Sequence, residues 1–176
     1  MSYELMKSDV VAVMDALGLA KADIVGWSDG ANIGVAMAIS DPARIGKLFA
    51  FGANVNNRYL TPPAASPLYA MVGQRLKNDY ASLGGTPAGF EQMGAAVGAM
   101  QKTATGHSDT QLAAIKGPKI AVVGADHDEF ISQRHTKYAA DTIPGARYII
   151  LRDVSHFAPW QDPDGFNAAL KDFLND

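Results

Sequence analysis

The stretch "ADIVGWSDGANIGVAMAI", residues 22–39, begins like a buried strand and ends like a buried helix. Its first part, up to Trp27, carries the β-branched and aromatic residues that favour strands. Its last part consists of small and apolar residues that suit a closely packed helix. Ser28 lies at the junction, two residues after Gly26 and two before Gly30. The stretch therefore predicts a strand, a very tight turn and a helix, with a serine at the turn.

This glycine–x–serine–x–glycine pattern is typical of a nucleophile elbow. We expect side chains at either glycine position to collide across so tight a turn. The turn lifts the serine oxygen out of the sheet at a helix N-terminus, where N–H groups and positive partial charge favour an anion. A phosphate-binding glycine turn and simple close packing are the alternatives, although the sequence has neither a GxGxxG motif nor a P-loop lysine.

Composition limits the classes of protein to which the chain can belong. Its 176 residues, 48% hydrophobic and 19% charged, fit one globular domain. The net charge of −3 and the lack of a basic stripe argue against nucleic acid as a partner. The absence of cysteine excludes disulfides, thiolate metal sites and a cysteine nucleophile. Because we see neither a signal peptide nor a run of roughly 20 apolar residues, we expect a soluble, cytoplasmic protein with no membrane partner.

Alternating apolar runs and helical periodicities predict an α/β fold. Strands are predicted at 23–27, 45–55, 119–124 and 147–152. Helices are predicted at 3–17, from the junction to residue 40, and at 68–83, 87–100, 111–115, 132–142 and from 162 onward. The strands are continuous apolar runs, as in a parallel sheet that helices cover on both faces.

Residues 57–117 interrupt this alternation with helices alone, joined to the strand before them by the proline-rich loop 56–67. We therefore predict a core of residues 1–56 and 118–176 and a helical cap of residues 57–117 inserted over one end of the sheet. The large apolar side chains of the cap are candidates for a substrate pocket: Tyr59, Leu68, Tyr69, Met71, Phe90, Met93 and Met100.

A serine nucleophile needs a base, and the base needs an acid to orient it. In parallel sheets, sites lie beyond the carboxyl ends of the strands. Of the four histidines, His156 alone follows a predicted strand at that end, so it is the candidate base.

The acid is expected after the third predicted strand, where Asp126, Asp128 and Glu129 all qualify. A metal site formed by Asp126, His127 and Asp128 is a weaker alternative. Ligands so close together in one loop rarely converge on one ion without others.

These segments resemble those of an α/β-hydrolase. The order Ser28, Asp128, His156 is the order of nucleophile, acid and base in that fold. "PKIAVVGADHDEFI", residues 118–131, resembles the strand-then-acid segment of the family, usually Gly-x-x-Asp, and "DVSHFAPWQDP", residues 153–163, resembles its histidine loop. Ala125 stands at the glycine position of that motif, so the match selects Asp128 over Asp126.

The resemblance covers residues 3–175 and is closest to the small esterases and enol-lactonases. It implies a hydrolase that cleaves a carboxylic ester or lactone without a cofactor or metal. The resemblance implies that Ser28 attacks the carbonyl carbon and that His156 transfers the proton. It also implies that Asp128 orients the imidazole and that the backbone N–H of Asp29 stabilises the oxyanion. The side chains expected to contact substrate are Trp27, Tyr69 and Phe157.

Members of the family also have several strands before the first helix seen here, and a loop, often His-Gly, that gives a second oxyanion donor. This sequence begins at that helix and has no His-Gly pair. We therefore expect the strand 23–27 to have an open side that pairs in a homodimer or exchanges a segment, and we expect weak activity. A truncated, inactive homologue that self-associates is one alternative. Perhydrolase, haloperoxidase-like or cyanohydrin-lyase chemistry on the same three residues is another, whereas a dehalogenase would have aspartate at position 28.

Overall fold

The structure, a computed structural model, describes residues 1–59 and 65–176. Part of the predicted loop 56–67, residues 60–64, lies outside the described residues. The described chain divides into two compact units. One contains residues 3–59 and 105–176, and the other contains residues 1–2 and 65–104.

Four strands and eight helices follow one another along the described residues. The strands are β1 (Ala22–Trp27), β2 (Ile45–Phe51), β3 (Lys119–Ala125) and β4 (Arg147–Leu151). The helices are α1 (Tyr3–Ala16), α2 (Asp29–Ser40), α3 (Leu68–Ser82), α4 (Pro87–Thr103), α5 (Asp109–Ala113), α6 (Gln133–Thr142), α7 (Ala158–Gln161) and α8 (Pro163–Asn175). Two short 3₁₀ helices span Pro42–Arg44 and Asn57–Tyr59.

The four strands form one parallel sheet in the order β1-β2-β3-β4. Its side chains alternate between the two faces, as the pleat of a strand requires. On β2, Leu48 and Ala50 pack with helices α1, α2 and α6, while Phe49 and Phe51 pack with α8 on the opposite face. The prediction of a parallel sheet flanked by helices is confirmed.

Aromatic packing anchors α8 to its face of the sheet. The ring of Phe166 lies 5.6 Å from that of Phe49 and 5.5 Å from that of Phe51, both nearly edge-on. Phe173 lies 6.0 Å from Phe49 and is completely buried. Burial of each such ring contributes about 1.5–3 kcal/mol, so these contacts stabilise the packing of α8 against β2.

Strand β2 ends at Phe51, earlier than the predicted residue 55, because Gly52 adopts a positive φ of 65°. The chain bends there, and the N–H of Val55 bonds to His135 Nε2 at 3.1 Å instead of to another strand. Helix α5 begins at Asp109, two residues before its predicted start, because Ser108 and Gln111 form a capping box. The short helix α7 is not predicted from the sequence.

Within the larger unit, the chain before residue 60 and the chain after residue 104 are held together. Asn56 and Gly106 form an antiparallel bridge, and the His107 N–H donates to the Val55 carbonyl at 2.7 Å. Arg58 forms an ion pair with Asp109 at 2.8 Å. Residues 55–58 and 106–109, which flank the smaller unit in the sequence, are therefore bonded to each other.

The smaller unit consists of α3 and α4 joined by a short turn. Gly84 has φ 86° in this turn, and the Tyr80 ring fills the space where a side chain on Gly85 would lie. Thr86 then caps α4 by accepting the Gly89 N–H at 3.1 Å. The role of residues 57–117 as a cap over the sheet stays a prediction. Across residues 1–59 and 65–176, no helix combines the length and the apolar character that crossing a membrane requires.

Candidate active site

Ser28 lies between β1 and α2 in a backbone conformation that few residues other than glycine adopt, with φ 56° and ψ −119°. Its N–H donates to the carbonyl of Phe51, at the end of the neighbouring strand, at 2.9 Å. A side chain on Gly26 would lie 2.5 Å from the Gly30 carbonyl oxygen, so this position requires glycine. The strained turn and its support are features of a nucleophile elbow.

The expectation that a side chain would also collide at Gly30 is wrong. A Cβ there would have no described atom outside the backbone of its own helix within 4 Å. Of the two glycines, only Gly26 has its Cβ position blocked, by the carbonyl oxygen of Gly30 in the first turn of α2. The first glycine of the pattern is therefore a steric requirement, and the second is not.

His156 and Asp128 form a buried pair after β4 and β3. Nδ1 of His156 lies 2.8 Å from Oδ2 of Asp128, and their side chains are 7% and 1% exposed. The other oxygen of Asp128, Oδ1, accepts the N–H groups of Phe130 and Ile131 at 2.8 and 2.7 Å. The carboxylate is thus fixed on one side by backbone donors and presents the other side to the imidazole.

The two other acidic candidates lie differently. Asp126 is 3.9 Å from both His127 and Arg152, and it has no bond to His156. Glu129 accepts the backbone N–H of His156 at 3.2 Å and therefore supports the loop rather than the ring.

Trp27, expected to contact substrate, supports the histidine loop. Its indole N–H donates to the carbonyl of His156 at 2.8 Å. Its ring packs edge-on against Phe157 and Trp160, at 6.2 and 5.0 Å between centroids. Because Trp27 precedes Ser28, this bond also ties the elbow to the loop of the candidate base.

The other side chains expected to contact substrate occupy different environments. Phe157 is 8% exposed and lies edge-on to His156 and to Phe130. Tyr69 belongs to α3, in the smaller unit. The substrate contacts of Trp27, Phe157 and Tyr69 stay predictions.

Gly52 is a site residue that sequence reasoning missed. A Cβ at Gly52 would lie 2.6 Å from Cε1 of His156, so the imidazole packs directly on this glycine. The Phe51 ring stacks at 6.2 Å from the same imidazole. A glycine directly after the apolar run "KLFAF" at the carboxyl end of a strand was the signal that could have identified it.

The structure also brings together a group with the donor set of a metal site. Ligand atoms of Asp126, His127 and Asp153 all lie within 4.8 Å of one another, so the third residue is Asp153 and not Asp128. Asp153 reaches this group because it turns after β4 with φ 58°. Asp128 faces away from it, towards His156.

Two remaining histidines belong to the framework. His135, at the start of α6, is 1% exposed, and burial lowers its pKa to about 4. Burial also lowers the pKa of His107. Both imidazoles are therefore neutral near pH 7, and His135 uses its Nε2 to accept the Val55 N–H.

Comparisons with known proteins show which family the chain belongs to. The model of the alpha/beta hydrolase family matches residues 2–169. RutD of Caulobacter segnis, named as a proposed carbamate hydrolase, is 53% identical over 47 residues. These residues are 27% of this chain and only 18% of that protein. The similarly named RutD of Caulobacter sp. (strain K31) is 27% identical over 97% of this chain and 71% of its own length.

Solved structures show the same fold. The meta-cleavage product hydrolase CumD of Pseudomonas fluorescens IP01 superposes with a TM-score of 0.80 at 16% identity, over 99% of this chain and 72% of that one. The enol-lactonase of Burkholderia xenovorans LB400 superposes with a TM-score of 0.69 at 22% identity, over 100% and 74%. Since the family model spans nearly the whole sequence and the solved structures share its fold, this chain belongs to the alpha/beta hydrolase family.

Proposed function

We propose that this chain is a serine hydrolase that cleaves a carboxylic ester or lactone through an acyl-enzyme. The observation that carries the proposal is the buried His156–Asp128 pair, 2.8 Å apart, in loops that Trp27 ties to the turn holding Ser28 at φ 56°. A strained serine at a helix N-terminus and an imidazole oriented by a carboxylate are the groups that nucleophilic attack on a carbonyl carbon requires.

In the first half of the reaction, Ser28 Oγ attacks the carbonyl carbon while His156 Nε2 takes its proton. The resulting imidazolium keeps its Nδ1–H on Asp128 Oδ2, whose charge stabilises it. Negative charge develops on the former carbonyl oxygen, and the backbone N–H of Asp29 stabilises it at the N-terminus of α2. When the carbon–oxygen bond breaks, His156 returns the proton to the leaving alkoxide.

In the second half, His156 takes a proton from water, and the hydroxide attacks the acyl carbon on Ser28. Collapse of this intermediate releases the carboxylic acid and returns the proton to Ser28 Oγ. Each step requires the same tautomer of His156, with the proton on Nδ1. The single open oxygen of Asp128 supports that tautomer, because Oδ1 is already occupied by two backbone donors.

The similarity to RutD supports a second candidate substrate class, the carbamates. A carbamate carbonyl would be attacked by Ser28 in the same way and would leave a carbamoyl group on the serine. The two candidates differ in the group transferred to the serine, acyl or carbamoyl, so one panel of substrates with the same leaving group separates them.

The experiment combines a covalent probe with that panel. A fluorophosphonate should label wild type at Ser28, and aryl esters and lactones of graded acyl length should be hydrolysed faster than matched aryl carbamates. Ser28→Ala should abolish labelling and turnover with its thermal midpoint unchanged. Ser40→Ala, at the other end of α2, is the matched control and should retain both. Wild type that is neither labelled nor active on any substrate would overturn the proposal, as would turnover by folded Ser28→Ala at the wild-type rate.

A further inference from the structure

A chain of hydrogen bonds links the start of α1 to the elbow. The Tyr3 hydroxyl donates to Oδ1 of Asp29 at 2.7 Å and accepts from Nδ2 of Asn32 at 3.1 Å. Oδ1 of Asn32 in turn accepts the N–H of Asn54, after β2, at 2.7 Å. Asn32 is 7% exposed, and the other members of this hydrogen-bond network are half-buried.

The direction of these bonds is fixed by what each group can donate. Asn54 supplies a backbone N–H, so the side chain of Asn32 must present its oxygen there and its NH₂ to Tyr3. The phenol oxygen then accepts from Asn32 and has its own proton for Asp29. Burial, together with the hydrogen bond to Asp29, raises the pKa of the Tyr3 phenol above its usual value, so it stays a donor throughout the working pH range.

The acceptor of the Tyr3 hydroxyl is the immediate neighbour of the candidate nucleophile. Asp29 directly follows Ser28, and its backbone N–H is the oxyanion donor of the proposed mechanism. Its side chain, however, carries a negative charge one residue from the place where negative charge develops. A carboxylate free to turn towards that place would oppose the transition state, because like charges at short range disfavour each other. The bond from the Tyr3 hydroxyl to Oδ1 restrains this carboxylate.

We infer that Tyr3 is a positioning residue for the reaction, because its hydroxyl ties the Asp29 carboxylate to α1 and so keeps that charge from the oxyanion. The inference rests on the proposed function. It assigns Tyr3 an effect that acts through the charge of Asp29 and not through the general stability of α1. The charge of residue 29 is therefore the variable that the experiment changes.

The experiment is a double-mutant cycle on Tyr3 and Asp29. It follows the rate constant for fluorophosphonate labelling of Ser28 and the kcat and KM for an aryl acetate. Tyr3→Phe keeps the ring and removes the hydroxyl, and it should lower the labelling rate and kcat about tenfold, the size expected for one hydrogen bond to a charged group. KM should be unchanged, since the charge acts on the transition state. With Asp29→Asn in place, the same Tyr3→Phe change should cost no more than about twofold, because no charge is left to misplace.

Tyr148→Phe, which removes a hydroxyl from a 41% exposed tyrosine on β4, is the matched control and should leave all three constants at wild-type values. A purely structural role for Tyr3 would lower the thermal midpoint and slow labelling equally with Asp or Asn at position 29, and that result would overturn the inference while leaving the proposed function intact. An unchanged labelling rate in Tyr3→Phe would do the same. Wild type that is not labelled at Ser28 would overturn the proposed function and the inference with it.

Discussion

The carboxylate of Asp128 divides its hydrogen bonds between two oxygens, and this division gives a test of which acid orients His156. Asp128→Asn should keep the shape of the loop but present an NH₂ group where the imidazole N–H needs an acceptor. Precedent for a triad aspartate puts the loss of kcat on the order of 10⁴.

Asp126→Asn is the matched control, because Asp126 lies in the same turn and does not bond to His156. It should lose little activity. Measurement of kcat for both variants on one aryl ester decides between them. The reverse ranking would transfer the orienting role to Asp126, and equal small losses would leave His156 without an acid partner in this loop.

Gly52 gives a second prediction at the scale of single residues. Gly52→Ala would place a Cβ 2.6 Å from Cε1 of His156, and we expect it to displace the imidazole and reduce kcat by at least about a hundredfold, since small misplacements cost that much. Part of any effect comes from the positive φ of 65°, which costs an alanine roughly 1–2 kcal/mol.

Gly145→Ala separates these two causes. Gly145 has φ 72° and no described atom within 4 Å of its missing Cβ, so its alanine variant suffers the backbone strain alone. Thermal midpoints of the two variants should fall by similar amounts, while kcat falls only in Gly52→Ala. Full activity in Gly52→Ala would show that His156 can move without consequence.

At the scale of elements, the sequence predicted strands and helices well where a single pattern of apolar residues extended over the whole element. The apolar runs of β1 and β3 and the stripe of α1 lie within two residues of their predicted bounds. Predictions failed where a single backbone angle decided the outcome. Gly52 ends β2 through its positive φ, and no periodicity of the surrounding residues reports such an angle.

The same distinction applies to the candidate site. The order of Ser28, Asp128 and His156 could be recognised because each follows a predicted strand. The bonds that hold the site together join residues far apart in sequence. Trp27 to His156 and Tyr3 to Asp29 are examples, and each depends on how the loops and helices pack, which no local pattern encodes.

The first turn of α6 carries a prediction about pH. His135 accepts the Val55 N–H through Nε2, and its buried Nδ1 has no partner among the described residues. Protonation would put an N–H against that of Val55. The folded-state pKa of about 4 lies below the usual 6.5, so the unfolded chain binds the proton first as pH falls. Titration of His135 therefore leaves the free energy of unfolding at its full value above about pH 6.5. It lowers that free energy by on the order of 3 kcal/mol as the pH falls to about 4.

Urea unfolding of wild type and His135→Gln between pH 7 and pH 4 checks this. The rings of Tyr59 and Tyr138 face His135, and burial raises the pKa of Tyr138 further above this pH range. The variant keeps an acceptor for Val55 but cannot titrate, so its free energy of unfolding should depend less steeply on pH. Parallel pH dependences for the two proteins would contradict the assignment.

At the scale of the whole molecule, the two edges of the sheet differ in their cover. At the β4 edge, Arg147 pairs with Asp172 at 3.0 Å, and the ammonium group of Lys137 lies 5.8 Å from the centre of the Tyr148 ring. At the β1 edge, Val25 is 48% exposed, and helix α1, which precedes β1, exposes Val13 and Leu17 by 58% and 67%. Charged side chains on an edge oppose pairing with another sheet, whereas an apolar edge invites it. The β1 edge is therefore the one expected to associate.

We predict that two copies of the chain associate through β1 about a two-fold axis, since a symmetric dimer is the commonest way to cover such a surface. Antiparallel pairing of the two β1 strands would satisfy their outer backbone groups and would bring the exposed apolar side chains of both α1 helices towards the interface. Val25→Lys places a charge on this edge and should shift the protein to monomer in sedimentation at low micromolar concentration. Tyr148→Lys, the same kind of change on β4, should leave the dimer intact. If wild type sediments as a monomer, or if both lysine variants dissociate the dimer equally, β1 is not the interface. Dissociation by Val25→Lys alone assigns the contact to the strand that carries Ser28 at its end.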